Sequence, residues 1–116
     1  MSDIQPKNND NAPHYKWGDN ADGWHLLQSY SLSVIEERVP PGASEKRHHH
    51  IHSQQFFYIL EGTAHIEISG EVHEVSERNG IHVPAGVDHQ LMNKQDSDLW
   101  FLVISQPKSH GDRVET

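Results

Sequence analysis

The chain has 116 residues, enough for one domain built around a single hydrophobic core. Seventeen acidic side chains against nine Lys and Arg give a formal charge of -8, a balance that repels a phosphate backbone and excludes nucleic acid as an expected partner. Cysteine is absent, which removes disulfides, thiolate ligands and a cysteine nucleophile, whereas the 11 histidines are many for this length.

Residues 1–16 are rich in Asn, Asp and Pro, lack the apolar core of a signal peptide, and are expected to form a flexible arm. Trp17 and Trp24 flank a Gly-Asp-Asn-Ala-Asp-Gly loop and are expected to cover a barrel end or a subunit contact. Strands are predicted at Trp24–Ser29 and Leu32–Val39, where the charged pair Glu36-Glu37 blurs the two faces and Pro40-Pro41-Gly42 ends the run. Glu45–His52 reads as a histidine-bearing strand, closed by the turn at Ser53. Gln55–Leu60 is apolar at successive positions and is expected to bury both faces, with Phe57 and Ile59 sharing the interior side of Gln55.

Ala64, Ile66 and Ile68 alternate with His65 and Glu67, the period of a half-buried strand, and Ser69-Gly70 turns it into Glu71–Val75. Short strands follow at Ile81–Val83 and His89–Asn93, then a second doubly apolar strand at Leu99–Ile104. The barrel domain is expected over 17–106, with 107–116 a polar tail on the surface. No stretch carries helical apolar spacing, and short strands between regular turn signals predict an all-β sandwich or barrel. The longest apolar runs are too short to span a bilayer, so a soluble cytoplasmic protein without a membrane partner is expected.

Chemistry concentrates in two stretches. His48, His50 and His52 occupy every second position, so in a strand their imidazoles share a face. His89 follows a Pro84-Ala85-Gly86 turn. Imidazole suits Zn, Fe, Cu and Ni, and a site with few protein ligands leaves positions open for water or substrate. His49 is expected to point away, His52 to sit at the rim, His82 to pack or hydrogen-bond on the opposite face, and His14, His25, His65, His73 and His110 to lie on the surface.

These stretches resemble the paired motifs of the cupin superfamily, whose fold is a double-stranded β-helix, or jelly-roll, barrel. Gly42, five residues, His48-His49-His50, four residues, Gln55, six residues and Gly62 reproduce the first motif, with Gln55 in place of its acidic residue. Pro84-Ala85-Gly86, His89 and Asn93 reproduce the second, with Arg78 standing where its first Gly belongs. The resemblance implies a small single-domain cupin in which His48, His50, Gln55 and His89 hold a divalent transition metal, such as Fe, Zn, Mn, Ni or Cu. It also implies a small-molecule substrate, and the three-histidine pattern is similar to that of cupin thiol dioxygenases. A non-catalytic ligand-binding module is the alternative.

With an amide in place of a carboxylate, a divalent ion at this site keeps a net charge near +2 and favours an anionic or oxygen-bearing ligand. Imidazoles must be neutral to bind metal and free histidine titrates near about 6.5, so metal is expected to leave progressively below that pH. No general base stands out in the sequence. Homodimerisation is expected, because the outward sides of Phe56–Leu60 and Leu99–Ile104 need cover.

Overall fold

Residues 4–116 are described by the computed structural model, and their regular elements are all β-strands. In chain order these are β1 (His14–Trp17), β2 (Ala21–Gln28), β3 (Ser33–Val39), β4 (His48–His50), β5 (Gln54–Glu61), β6 (Ala64–Ile68), β7 (Glu71–Val75), β8 (Gly80–Val83), β9 (His89–Met92), β10 (Leu99–Gln106) and β11 (Arg113–Glu115). They form two antiparallel sheets, ordered β1-β2-β3-β10-β5-β8 and β11-β4-β9-β6-β7. The two sheets enclose one core as the jelly-roll barrel expected from the sequence.

Alternation decides what fills the space between the sheets. Ile35 and Val39 on β3, Phe57 and Ile59 on β5, and Phe101 and Val103 on β10 form the inner face of the six-stranded sheet. Ala64, Ile66 and Leu91 meet them from the other sheet, each no more than 1% exposed. Burying one such large side chain is worth about 1.5–3 kcal/mol, so this face drives closure of the barrel. On the outer side Phe56 and Leu60 remain 40% and 37% exposed, so β5 buries only its inner face within one chain. Trp24 lies on that outer side, stacked on Trp100 with centroids 5.6 Å apart, whereas Trp17 packs against the core.

Both ends of the chain hold more structure than their composition announces. β1 begins at His14, inside the stretch expected to be an arm, because Asp22 draws in His14 (2.7 Å), Lys16 (3.0 Å) and, from β3, Arg38 (2.7 Å). The tail does not simply lie on the surface, since β11 pairs with β4 and extends the five-stranded sheet. Its polar side chains hid this, because docking runs through main-chain hydrogen bonds and the Asp112 carboxylate. That carboxylate accepts from the amides of Ile51 (3.2 Å), His52 (2.8 Å) and Ser53 (2.8 Å).

Asn93 locks the turn after β9 from inside: its Nδ2 donates to the carbonyls of Val39 and Ser97, both at 2.9 Å, and its Oδ1 accepts from the Gln95 amide. Asn93→Ala orphans both carbonyls, at about 1–3 kcal/mol each. A loss of roughly 2–4 kcal/mol is therefore expected in chemical denaturation, and a stability within 0.5 kcal/mol of wild type, the usual size of a surface change, would contradict this role.

Candidate metal centre

β4 is shorter than the strand expected over Glu45–His52, because Ile51 and His52 leave the ladder to donate their amides to Asp112. Alternation survives over the three residues that remain. His48 and His50 turn inward, 2% and 5% exposed, while His49 turns outward and its Nδ1 meets Asp88 Oδ1 at 2.9 Å. β9 runs antiparallel to β4 with His89 opposite His48. The Pro84-Ala85-Gly86 turn delivers His89: Gly86 takes φ 80°, a left-handed conformation that suits glycine, and its amide donates to the His50 carbonyl at 2.7 Å. The ligand-competent atoms of His48, His50 and His89 thus lie within 4.8 Å of one another, all three residues buried.

Main-chain carbonyls set the tautomers. The Nδ1–H of His48 donates to Lys46 O (2.6 Å), that of His50 to Asp112 O (3.2 Å) and that of His89 to Val87 O (3.0 Å). A carbonyl only accepts, so each Nδ1 carries the proton and each Nε2 holds a free lone pair, the arrangement a metal-binding imidazole needs. Nε2 of His50 and of His89 are buried without a hydrogen-bond partner among the described residues, as is Oε1 of Gln55. Gln55 is held by its own Nε2, which donates to Ser105 Oγ at 3.1 Å, so its oxygen is the atom left over. Buried acceptors without donors are costly in a dry interior, and a cation among the clustered imidazoles satisfies His50 and His89 together. The donor set therefore fits a divalent transition metal held by His48, His50 and His89, with Gln55 beside them.

A cavity of about 360 Å³ opens onto His48, His50 and Gln55 and continues past Glu37, Glu45 and Arg113. The two carboxyl groups were not singled out in the sequence, although one signal was there. Glu37 shares the inward alternation of Ser33, Ile35 and Val39 on β3, which makes it an interior residue rather than a defect in the pattern. Burial pushes Glu37 up to about 7, against the opposing pull of Tyr15 and Arg113. Burial likewise pushes Glu45 up to about 8, and the neighbouring Glu37 adds to the rise. Arg113 arrives on β11, its Nη2 donating to Lys46 O at 3.3 Å.

Other histidines divide between expected and unexpected places. His52 is exposed outside β4, and exposed His82 meets Gln54 Oε1 at 2.9 Å. His14 bonds Asp22, while His65 and His73 pair with Glu74 and Glu71 at the barrel surface. His25 is half-buried rather than a surface residue, whereas His110 is exposed as expected. Their rings pack 5.2 Å apart beside Tyr15, and His110 also lines the cavity, because the docked tail carries it there.

Fold and site together define a small antiparallel β-barrel with an interior cluster of imidazoles poised for a metal. Residues 35–105 match the family model of the cupin domain, and the chain belongs to that family. It is 33% identical over 89 residues to an uncharacterized protein of Methanocaldococcus jannaschii, covering 76% of this chain and 71% of that one. It is 38% identical over 77 residues to a mannose-1-phosphate guanylyltransferase of Salmonella montevideo, covering 66% of this chain but 16% of that enzyme. Among solved structures, KdgF from Halomonas sp. superposes with a TM-score of 0.83 at 17% identity, covering 92% of this chain and 98% of that one.

Burial pushes the His48 imidazole down to about 3 and His50 to about 4, and lowers His89 as well. The neutral, ligating form therefore persists well below the pH expected from free histidine. Between about 6.5 and about 3 the unfolded chain takes protons that folded His48 refuses, so the protein loses stability as pH falls through that window. Zn²⁺ occupancy measured by equilibrium dialysis should be as high at pH 5.5 as at neutrality and should collapse as pH passes through about 4. Half-loss already near about 6.5, the free-histidine value, would show that burial does not protect the site.

Proposed function

We propose that the protein is a metal-dependent enzyme acting on a small anionic or oxygen-bearing molecule. The observation that supports this most directly is the set of buried, unpartnered acceptors, His50 Nε2, His89 Nε2 and Gln55 Oε1, of which His50 and Gln55 line an open cavity. His48, His50 and His89 would hold the ion, and Gln55 would occupy a fourth position or bind a ligand on it. A bound divalent ion supplies Lewis acidity toward a substrate oxygen or, when it is iron, a centre for dioxygen chemistry. The dioxygenase form of this proposal belongs to the iron-loaded protein alone.

The chain's own residues shape what enters. Phe57 makes one wall apolar, and Arg113 adds a permanent positive charge to the cavity, which orients an anionic end toward it. A ligand-binding module without turnover is the competing reading, and it leaves the cavity carboxyls without a task. The outer apolar side of β5 and β10, with Phe56 and Leu60 exposed, supports a homodimer in which a second copy covers this face. Light scattering at low micromolar concentration should give twice the chain mass, and a monomer there removes the dimer.

Titrating the untagged protein with Co²⁺ tests the centre. Wild type should bind one equivalent and His48→Ala should lose binding by at least about 100-fold, while the outward His49→Ala retains it. In the same titration Gln55→Glu should bind more tightly, since a carboxylate is the stronger ligand for a divalent ion. Unchanged affinity in His48→Ala would sink the proposal. Oxygen uptake by the iron-loaded protein against small thiols, diketones and phenols separates a dioxygenase from other metal chemistry.

A further inference from the structure

A second recess lies where the docked tail passes the turn between β2 and β3. It encloses about 220 Å³, below the size of a drug-sized ligand site, and its walls include His25, Gln28, Tyr30, Ser33, Lys108 and His110. No acidic side chain lines it, although the chain carries 17 of them against nine Lys and Arg. Lys108 brings a positive charge and, among the described residues, forms no ion pair. Asp112 shares a neighbouring recess with Lys108, but its carboxylate is taken up by the amides of Ile51, His52 and Ser53. Ser33, at the start of β3, is 5% exposed and lines the recess with a hydroxyl that no other described residue engages. Nδ1 of His25 is likewise buried without a partner. Burial and the neighbouring His110 hold the His25 imidazole below its usual range, so at neutrality the ring has one N–H to give, and an oxyanion accepts it from the Nδ1–H tautomer.

We propose that this recess binds a small tetrahedral oxyanion of the phosphate class, with Lys108 supplying the charge and His25 and Ser33 supplying donors from the barrel wall. Donors arrive from β2, from the turn after it, from β3 and from the tail. That spread suits a group with oxygens on every side better than a planar carboxylate, whose two oxygens point one way. A cation in the same place is opposed by Lys108. The frame is assembled in advance, which lowers the cost of binding. The Lys108 amide donates to the Tyr30 carbonyl at 2.8 Å, the Ser53 hydroxyl donates to the Pro107 carbonyl at 2.6 Å, and the rings of His25 and His110 pack edge to face. His110 lines both this recess and the metal cavity, so the two spaces are neighbours. None of the imidazoles of the metal centre lines the recess, so the oxyanion site does not depend on a metal.

The test titrates the metal-free full chain, its histidines labelled with ¹⁵N, with inorganic phosphate at constant pH and ionic strength and follows the imidazole signals by NMR. His25 and His110 should move along one saturating curve with its midpoint in the low millimolar range or below, while His73 on the far sheet stays in place. Lys108→Ala should weaken binding about tenfold and Ser33→Ala about threefold, whereas Lys108→Arg keeps it. Sulfate should displace phosphate, and acetate should not; equal displacement by acetate overturns the tetrahedral assignment. Arg113→Gln should leave the affinity unchanged, because Arg113 lines the metal cavity and not this recess. Binding lost in Arg113→Gln but kept in Lys108→Ala would place the phosphate in the metal cavity and overturn the site. Shifts that rise linearly without saturating, or wild-type affinity in Lys108→Ala, overturn it as well, and each of these results leaves the metal centre untouched.

Discussion

Three hydrogen bonds from imidazole Nδ1 to main-chain carbonyls decide what the barrel interior can bind. Because a carbonyl has no proton to give, each bond fixes the tautomer of its ring and leaves the Nε2 lone pair for the cavity. The carbonyls come from three separate pieces of chain: Lys46 ahead of β4, Val87 within the turn before β9, and Asp112 ahead of β11. The site is therefore assembled only when all three are in place. Asp112 matters twice over, since its carbonyl orients His50 while its carboxylate gathers the amides that end β4. A segment that composition marks as a loose tail is thereby part of the geometry of the candidate metal site.

The same dependence explains which parts of the molecule were legible in the sequence. Alternation in Ala64–Ile68 and the double apolar runs at β5 and β10 announced the barrel, because hydrophobic burial writes its period into side-chain types. His48, His50 and His89 were legible because strand spacing and a Pro-x-Gly turn fix where side chains point. β11 was not legible, since it docks through main-chain bonds that leave no apolar pattern, and with it went His110 and Arg113 as cavity residues. Glu37 was obscured by its neighbour: Glu36-Glu37 reads as a solvated pair, yet the two side chains fall on opposite faces of β3.

Arg78 shows how a departure from a family pattern acquires a physical meaning. It occupies the position of the second motif's first glycine and takes φ 67°, a left-handed conformation that costs a non-glycine residue about 1–2 kcal/mol. Its amide donates to the Ile59 carbonyl at 2.8 Å, so the loop keeps the turn that glycine would make more cheaply. The barrel tolerates this strain because β5 and β8 on either side are already paired in register.

Electrostatics then link the two halves of the cavity. The histidines are neutral and Gln55 is an amide, so attraction for a cation comes from desolvated lone pairs rather than from the chain's net charge of -8. Glu37 and Glu45, raised by burial to about 7 and about 8, are partly protonated near neutrality and cancel little of that cation's charge. Arg113 adds positive charge to the same space. The cavity therefore presents neutral lone pairs, one fixed cation and two partly protonated carboxyls to whatever enters it.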